Sequence, residues 1–192
     1  MVKTKLSILD LTSEIKEEMS EGWLLWELMR ILGYEKNINF EYVRGKRHFL
    51  QILNDVKGAY VHIGAHGKVE SGTTGLITPR GATIKSEDLE GIWNVRKRKP
   101  RLVVLSACEA GHEDLVNAFT DLGVKYVIAP LHDTYWDDAA VFLTMFYKLL
   151  IGEEKTPWVS YRNAICGYQQ TFKKLSGAWR FYENKNHIQV EC

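Results

Sequence analysis

The stretch RLVVLSACEAG, residues 101–111, decides how the chain is read. Its first part, RLVVLSA, is the most continuously apolar strand-like run in the sequence. A strand without alternation between apolar and polar residues is buried on both faces, as in the centre of a mainly parallel sheet. The run ends on Cys108 and an acidic turn containing Gly111, where Val or Ile would serve a core strand equally well. Cys108 is therefore read both as packing and as chemistry.

Working outward from this strand, EDLVNAFTDLG reads as its crossover helix, VKYVIAP as the next strand and DDAAVFLTMFYKLLIG as a further helix. Upstream, KLSILD (5–10) is a first strand. In SEIKEEMSEGWLLWELMRILG, Ile15, Met19, Trp23, Leu24, Trp26, Leu28 and Ile31 fall at helical intervals before Gly33, with Gly22 as a candidate interruption. INFEYV is a second strand, KRHFLQILNDV a helix and AYVHIGAH (59–66) a third strand. GKVESGTTG reads as a glycine-rich, small polar connection, and LITPRGATI as two short strands around Pro79-Arg80-Gly81. SEDLEGIWNV offers Ser86 as a helix N-cap. Near the end, YRNAICGYQQTFKKLSG is an amphipathic helix, and HIQVEC an edge strand or frayed terminus. The alternation is α/β from end to end, without repeat or linker, so one domain over 1–192 is expected.

The chain has 192 residues, 45% hydrophobic and 26% charged, which suits one core of ordinary size. Its 25 basic residues meet 24 acidic ones, so no global charge draws it to nucleic acid. The most apolar piece, AAVFLTMFYKLLIG, is too short to cross a bilayer and carries Lys148, so no membrane is expected. Cys108, Cys166 and Cys192 are an odd set at wide spacing without a CxxC pair. Together with the lack of a recognisable secretory segment, this favours a reducing cytoplasm.

In an open α/β sheet, ligands collect beyond the carboxyl ends of the strands. Two strands end there in reactive side chains: HIGAHG delivers His66 beside Gly67, and LSAC delivers Cys108. If the two strands are neighbours, an imidazole and a thiol meet over one edge as base and nucleophile. An imidazole and the start of the crossover helix are expected to lower the thiol pKa. The N–H groups of Gly67 and Cys108 would hold a tetrahedral oxyanion, and Gly111 would relieve the turn beyond the nucleophile. A zinc reading of His62-x3-His66 with Cys108-x3-His112 is formally open. It is disfavoured because the first pair lies on a strand and its exit, and no HExxH glutamate follows His62. No cofactor is expected.

VHIGAHG, followed by GLITPRGATIKSEDLEG, RLVVLSACEAG and NAFTDLGVKYVIAPLHDTYWDDAAVFLTMFYKLL, resembles the CHAT domain. This is a branch of the caspase-like fold shared with caspases, metacaspases, separase and gingipains, and the resemblance is closest over residues 56–151. It implies a three-layer sandwich, a mainly parallel sheet flanked by helices. It also implies a cysteine endopeptidase with His66 and Cys108 as its dyad. In arginine- or lysine-directed relatives an acid at the end of the first strand lines the pocket for the residue before the cut, which points to Asp10. The caspase glutamine two places before the nucleophile is Ser106 here, and metacaspases usually carry an acid at that place. A preference for Arg or Lys is the resulting forecast.

HDTYWDDAA, residues 132–140, follows the next strand and is expected on the cleft rim. Asp133, Asp137 and Asp138 either attract a basic substrate segment or cap the helix, and Trp136 either shapes a subsite or covers the helix end. The basic run NVRKRKPR lacks interleaved aromatic residues and reads as a solvated face. The resemblance further implies a protein substrate and control by a partner protein, dimerisation or self-cleavage, often in bacterial defence or programmed death. GKVESGTTG is the segment expected to be ordered by such control, with Lys68 as a cut site. The rivals are a catalytically silent module binding protein by the same cleft and a non-proteolytic thiol hydrolase.

Overall fold

The computed structural model describes residues 5–12, 20–70, 72–93, 99–172 and 174–192. Its strands are β1 (Leu6–Asp10), β2 (Ile38–Tyr42), β3 (Tyr60–Gly64), β4 (His66–Glu70), β5 (Thr73–Ile77), β6 (Thr83–Ile84), β7 (Leu102–Ser106), β8 (Tyr126–Pro130), β9 (Trp179–Glu183) and β10 (Asn186–Ile188). The helices are α1 (Glu21–Ile31), α2 (Lys46–Asp55), α3 (Glu113–Asp121), α4 (Trp136–Tyr147) and α5 (Pro157–Phe172). Seven strands form the main sheet in the order β10-β9-β8-β7-β3-β1-β2, with β7 in the middle as its uninterrupted apolar run requires.

Strand periodicity builds the layers. Val103 and Leu105 of β7 enter one core with Phe49 and Leu53 of α2 and Leu115 and Phe119 of α3. Leu102 and Val104 face the opposite core with Leu25 and Met29 of α1, Phe142 and Phe146 of α4 and Tyr161 of α5. The result is an α/β sandwich with a mixed, mostly parallel sheet between two helical layers, a caspase-like three-layer fold. Each fully buried aromatic, such as Phe119 or Phe142, contributes about 2 kcal/mol or more through burial.

Strand β9 is absent from the sequence reading. WRFYE pairs antiparallel with β8, and β10 pairs antiparallel with β9, so HIQVEC contributes an edge strand and the sheet is mixed. The reading failed because Trp179, Phe181 and Tyr182 are all buried, which hides the alternation of a half-exposed strand. GKVESGTTG, read as a connection, instead contributes to β4 and β5, which pair antiparallel and with β6 form a separate three-stranded sheet. Its short polar side chains are compatible with strands exposed along β4. Among the described residues of SEDLEGIWNV the helical turn is a 3-10 turn at Ser86–Leu89, entered from Lys85 rather than from Ser86.

Two of the three cysteines, Cys166 and Cys192, are joined in a disulfide, where their spacing had favoured free thiols. Helix α5 and the end of the chain bring them together across 26 residues, a proximity no local spacing encodes. Ile15 and Met19, most of the basic run NVRKRKPR and Ser71 of GKVESGTTG lie outside the described residues. Among the described residues no helix is long and apolar enough to cross a membrane.

Candidate active site

Parallel pairing sets the ends of β1, β3 and β7 in one row: Asp10 opposite Gly64, and Gly64 opposite Ser106. Pairing runs one residue further, where the Ala65 N–H donates to the Ser106 carbonyl at 3.0 Å. His66 and Cys108 each lie two positions beyond the Gly64–Ser106 pair. Both line one cavity of about 220 Å³, whose walls also include Glu21, Ser106, Thr134 and Trp136. Ser106 and Trp136 therefore stand at the same cavity as the candidate nucleophile.

The two turns that carry these residues are in close contact. A Cβ built on Gly67 would fall 1.7 Å from the Cys108 carbonyl oxygen and 3.0 Å from its nitrogen, so only glycine lets β4 approach the nucleophile turn this closely. Beyond Cys108 the left-handed conformation falls on Glu109, at φ 58°, and not on Gly111. Gly111 is required for a different reason. Its N–H donates to Pro130 O at 2.7 Å, and a Cβ there would come within 2.9 Å of the same oxygen.

The Cys108 thiol is half-buried and donates to the Thr134 main-chain oxygen at 3.9 Å. Burial pushes this thiol above its ordinary pKa; a main-chain hydrogen bond at Thr134 works the other way, and the Asp133 carboxylate adds to the rise. This reverses the expected lowering. Helix α3 starts only at Glu113, five residues on, and brings Glu113 and Asp114 in its first turn. Asp133 thus acts on the thiol itself. Replacing it by Asn is expected to lower the thiol pKa and speed iodoacetamide labelling at neutral pH. Cys108 is the free cysteine, so alkylation kinetics against pH read this group, and an unchanged profile would remove Asp133 from the site.

Asp10 is fully buried, and its carboxylate is committed. Oδ1 accepts from the Thr12 N–H at 2.9 Å and hydroxyl at 2.6 Å, and Oδ2 accepts from the Ser20 hydroxyl. Ser20 in turn caps α1 by accepting from the Trp23 N–H at 3.1 Å. The position expected to recognise substrate is thus a brace between β1 and α1, and a Cβ built on Gly22 would come within 3.1 Å of the Asp10 side chain. Asp138 is similarly engaged, accepting from the Tyr168 hydroxyl and from the Ser176 N–H at 3.2 Å. Ser176 also receives the Tyr135 N–H at 2.9 Å, which ties the rim to the segment before β9. Trp136 is 57% exposed beside this anchored loop.

A buried group of which the sequence reading named only His62, and that as a disfavoured zinc ligand, lies behind the cavity with Glu21 and Tyr147. His62 shares the face of β3 that looks toward α1 and α4, and it is 0% exposed. Its Nδ1 is 3.1 Å from the Tyr147 hydroxyl, and its Nε2 is 3.4 Å from Glu21 Oε1. Burial, and then the charge of Glu21, hold the Tyr147 hydroxyl well above the usual tyrosine pKa, so it remains a donor. Glu21 opens α1 and is itself buried while lining the cavity. The signal for it was the parity of β3, which places His62 on the α1 side, combined with Ser20 as the cap that fixes where α1 begins.

The sequence model of the CHAT domain family matches residues 34–164. No curated protein matches the chain at a significant level.

Proposed function

Because the chain belongs to the CHAT domain family, we propose that it is a cysteine endopeptidase acting on a protein substrate. The observation that carries this reading is the single cavity lined by His66 and Cys108 at matching positions beyond paired parallel strands. The Cys108 sulfur attacks the scissile carbonyl carbon as His66 takes the thiol proton. Collapse of the tetrahedral adduct expels the amine, which receives that proton from His66 and leaves a thioester. Water, deprotonated by His66, then cleaves the thioester, and the proton returns to sulfur.

Burial, together with the Asp133 carboxylate, favours the protonated thiol, so in this reading His66 must take the thiol proton for attack to occur. The Gly67 and Cys108 N–H groups are the proposed oxyanion donors, supported by the close approach of the two turns. Ser106 and Trp136 are the proposed substrate contacts, with Asp133 near the thiol on the rim. The proposal includes a role in bacterial defence and control by a protein partner or a homodimer; the Cys166–Cys192 bond withdraws the cysteine-based ground for cytoplasmic residence. The raised thiol pKa favours one rival, a catalytically silent module that binds protein through the same cavity.

A proteome-cleavage comparison of the unmodified protein with Cys108→Ala and His66→Ala tests the reading. Discrete products are expected to fall by about 10³-fold or more in both variants. Identical cleavage patterns for all three proteins reject peptidase action.

A further inference from the structure

Strand β1 reads LSILD, and all five of its residues are buried. Ser7 is 3% exposed, and its hydroxyl has no hydrogen-bond partner among the described residues. A buried hydroxyl without a partner costs stability, and alanine would fill the same place without that cost. The hydroxyl is not sealed from solvent, because Ser7 lines a cavity of about 370 Å³ between the sheet and α2. This cavity shares no lining residue with the one beside Cys108.

Layers of an α/β sandwich meet through apolar side chains, yet the sheet wall of this cavity is polar. Ser7 stands opposite Asn39 in the β1–β2 ladder and Leu9 opposite Glu41, so strand parity sets Ser7, Asn39 and Glu41 side by side on the α2 face. The Asn39 amide nitrogen donates to Glu41 Oε1 at 3.3 Å, which leaves the Asn39 side-chain oxygen as an acceptor. Glu41 has no ion-pair partner among the described residues. Asp55 and Lys57, both exposed, offset one another in charge. The His48 ring, also in the wall, accepts the Arg44 N–H at Nδ1 and so carries no charge in this arrangement. Glu41 therefore sets the sign of the cavity, and Leu9, Ile52 and Val56 add aliphatic surface beside it.

We propose that this cavity binds a primary amine on a short aliphatic stem, with the ammonium group held by Ser7, Asn39 and Glu41. Three acceptors at adjacent positions match the three N–H donors of an ammonium, whereas a guanidinium presents its donors in a rigid planar fork. The stem lies along Leu9, Ile52 and Val56. A metal ion is the poorer occupant, because among the described residues no three His, Cys, Asp or Glu side chains converge to hold one. A free amine and a lysine side chain of another polypeptide present the same group. The inference is independent of the peptidase reading.

Calorimetric titration of the full chain with n-pentylamine, Nα-acetyl-lysine N-methylamide and 1-pentanol tests it. The alcohol keeps the length of pentylamine and removes its charge. At least one amine is expected to bind about tenfold or more tightly than 1-pentanol. Tighter binding of pentylamine assigns the site to a free amine, and tighter binding of the lysine derivative assigns it to a polypeptide. Glu41→Gln is expected to erase the preference for amine over alcohol. Ser7→Ala is expected to weaken amine binding about tenfold while leaving Tm unchanged or raised, a combination that a purely structural serine would not give. Equal or undetectable binding of all three probes overturns the proposal, as does a lower Tm with unaltered amine binding in Ser7→Ala.

Discussion

Replacing Gly67 by alanine is expected to reduce Cys108-dependent peptide cleavage by about 100-fold, because the added methyl would lie 1.7 Å from the Cys108 carbonyl oxygen. The obstacle is main chain on both sides, so no side-chain rotation relieves it. The β4 strand and the Cys108 turn must separate by more than an ångström, which displaces His66, the residue adjoining Gly67, from the thiol. Overpacking of this kind also costs about 1–3 kcal/mol, a fall in Tm of several degrees for a chain of this size. Reporter kcat/KM and thermal unfolding measure the two effects. Activity within threefold of the unmodified protein, with unchanged Tm, would show that the two turns need not touch.

The second large effect concerns stability. His62→Ala is expected to cost about 3–5 kcal/mol, because it opens a hole in a buried strand and removes the nearest group of opposite tendency from Glu21. The Tyr147 hydroxyl loses its partner in the same step. Tyr147→Phe removes only that hydroxyl and is expected to cost about 1–2 kcal/mol, with the ring packing on Phe146 retained. Urea unfolding of both variants measures the difference. A loss below about 1 kcal/mol for His62→Ala would mean that the Glu21–His62–Tyr147 chain does not hold α1 and α4 to the sheet.

Much of this architecture is readable along the chain because it depends on local periodicity. The apolar run of β7 announces a central strand, and the helical spacing of Phe49, Leu53, Leu115 and Phe119 announces which faces of α2 and α3 are buried. His66 and Cys108 are legible for a related reason: each stands two residues beyond the carboxyl end of an apolar parallel strand, with a glycine nearby in the sequence. Strand β9 was illegible because burial on both faces erased its period, and the exposed polar residues of β4 imitated a loop. The thiol's raised pKa was illegible because its causes are burial and Asp133, a residue brought in by the next strand's exit loop.

The acids show the same division. Asp10 and Glu21 are both acidic residues at the junction of β1 and α1, and no pattern along the chain distinguishes their tasks. Hydrogen bonds from Thr12 and Ser20 consume Asp10, whereas the start of α1 turns Glu21 toward the cavity wall.

By itself the amino-acid order determined the layered α/β arrangement, the central strand and the two strand ends bearing an imidazole and a thiol, because periodicity and turn chemistry act between near neighbours. Only tertiary structure decided the Gly67–Cys108 contact, the Cys166–Cys192 bond and the engagement of the Asp10 carboxylate by the Thr12 and Ser20 hydroxyls. Those depend on which distant groups burial brings together, and on which of them takes up each available hydrogen bond first.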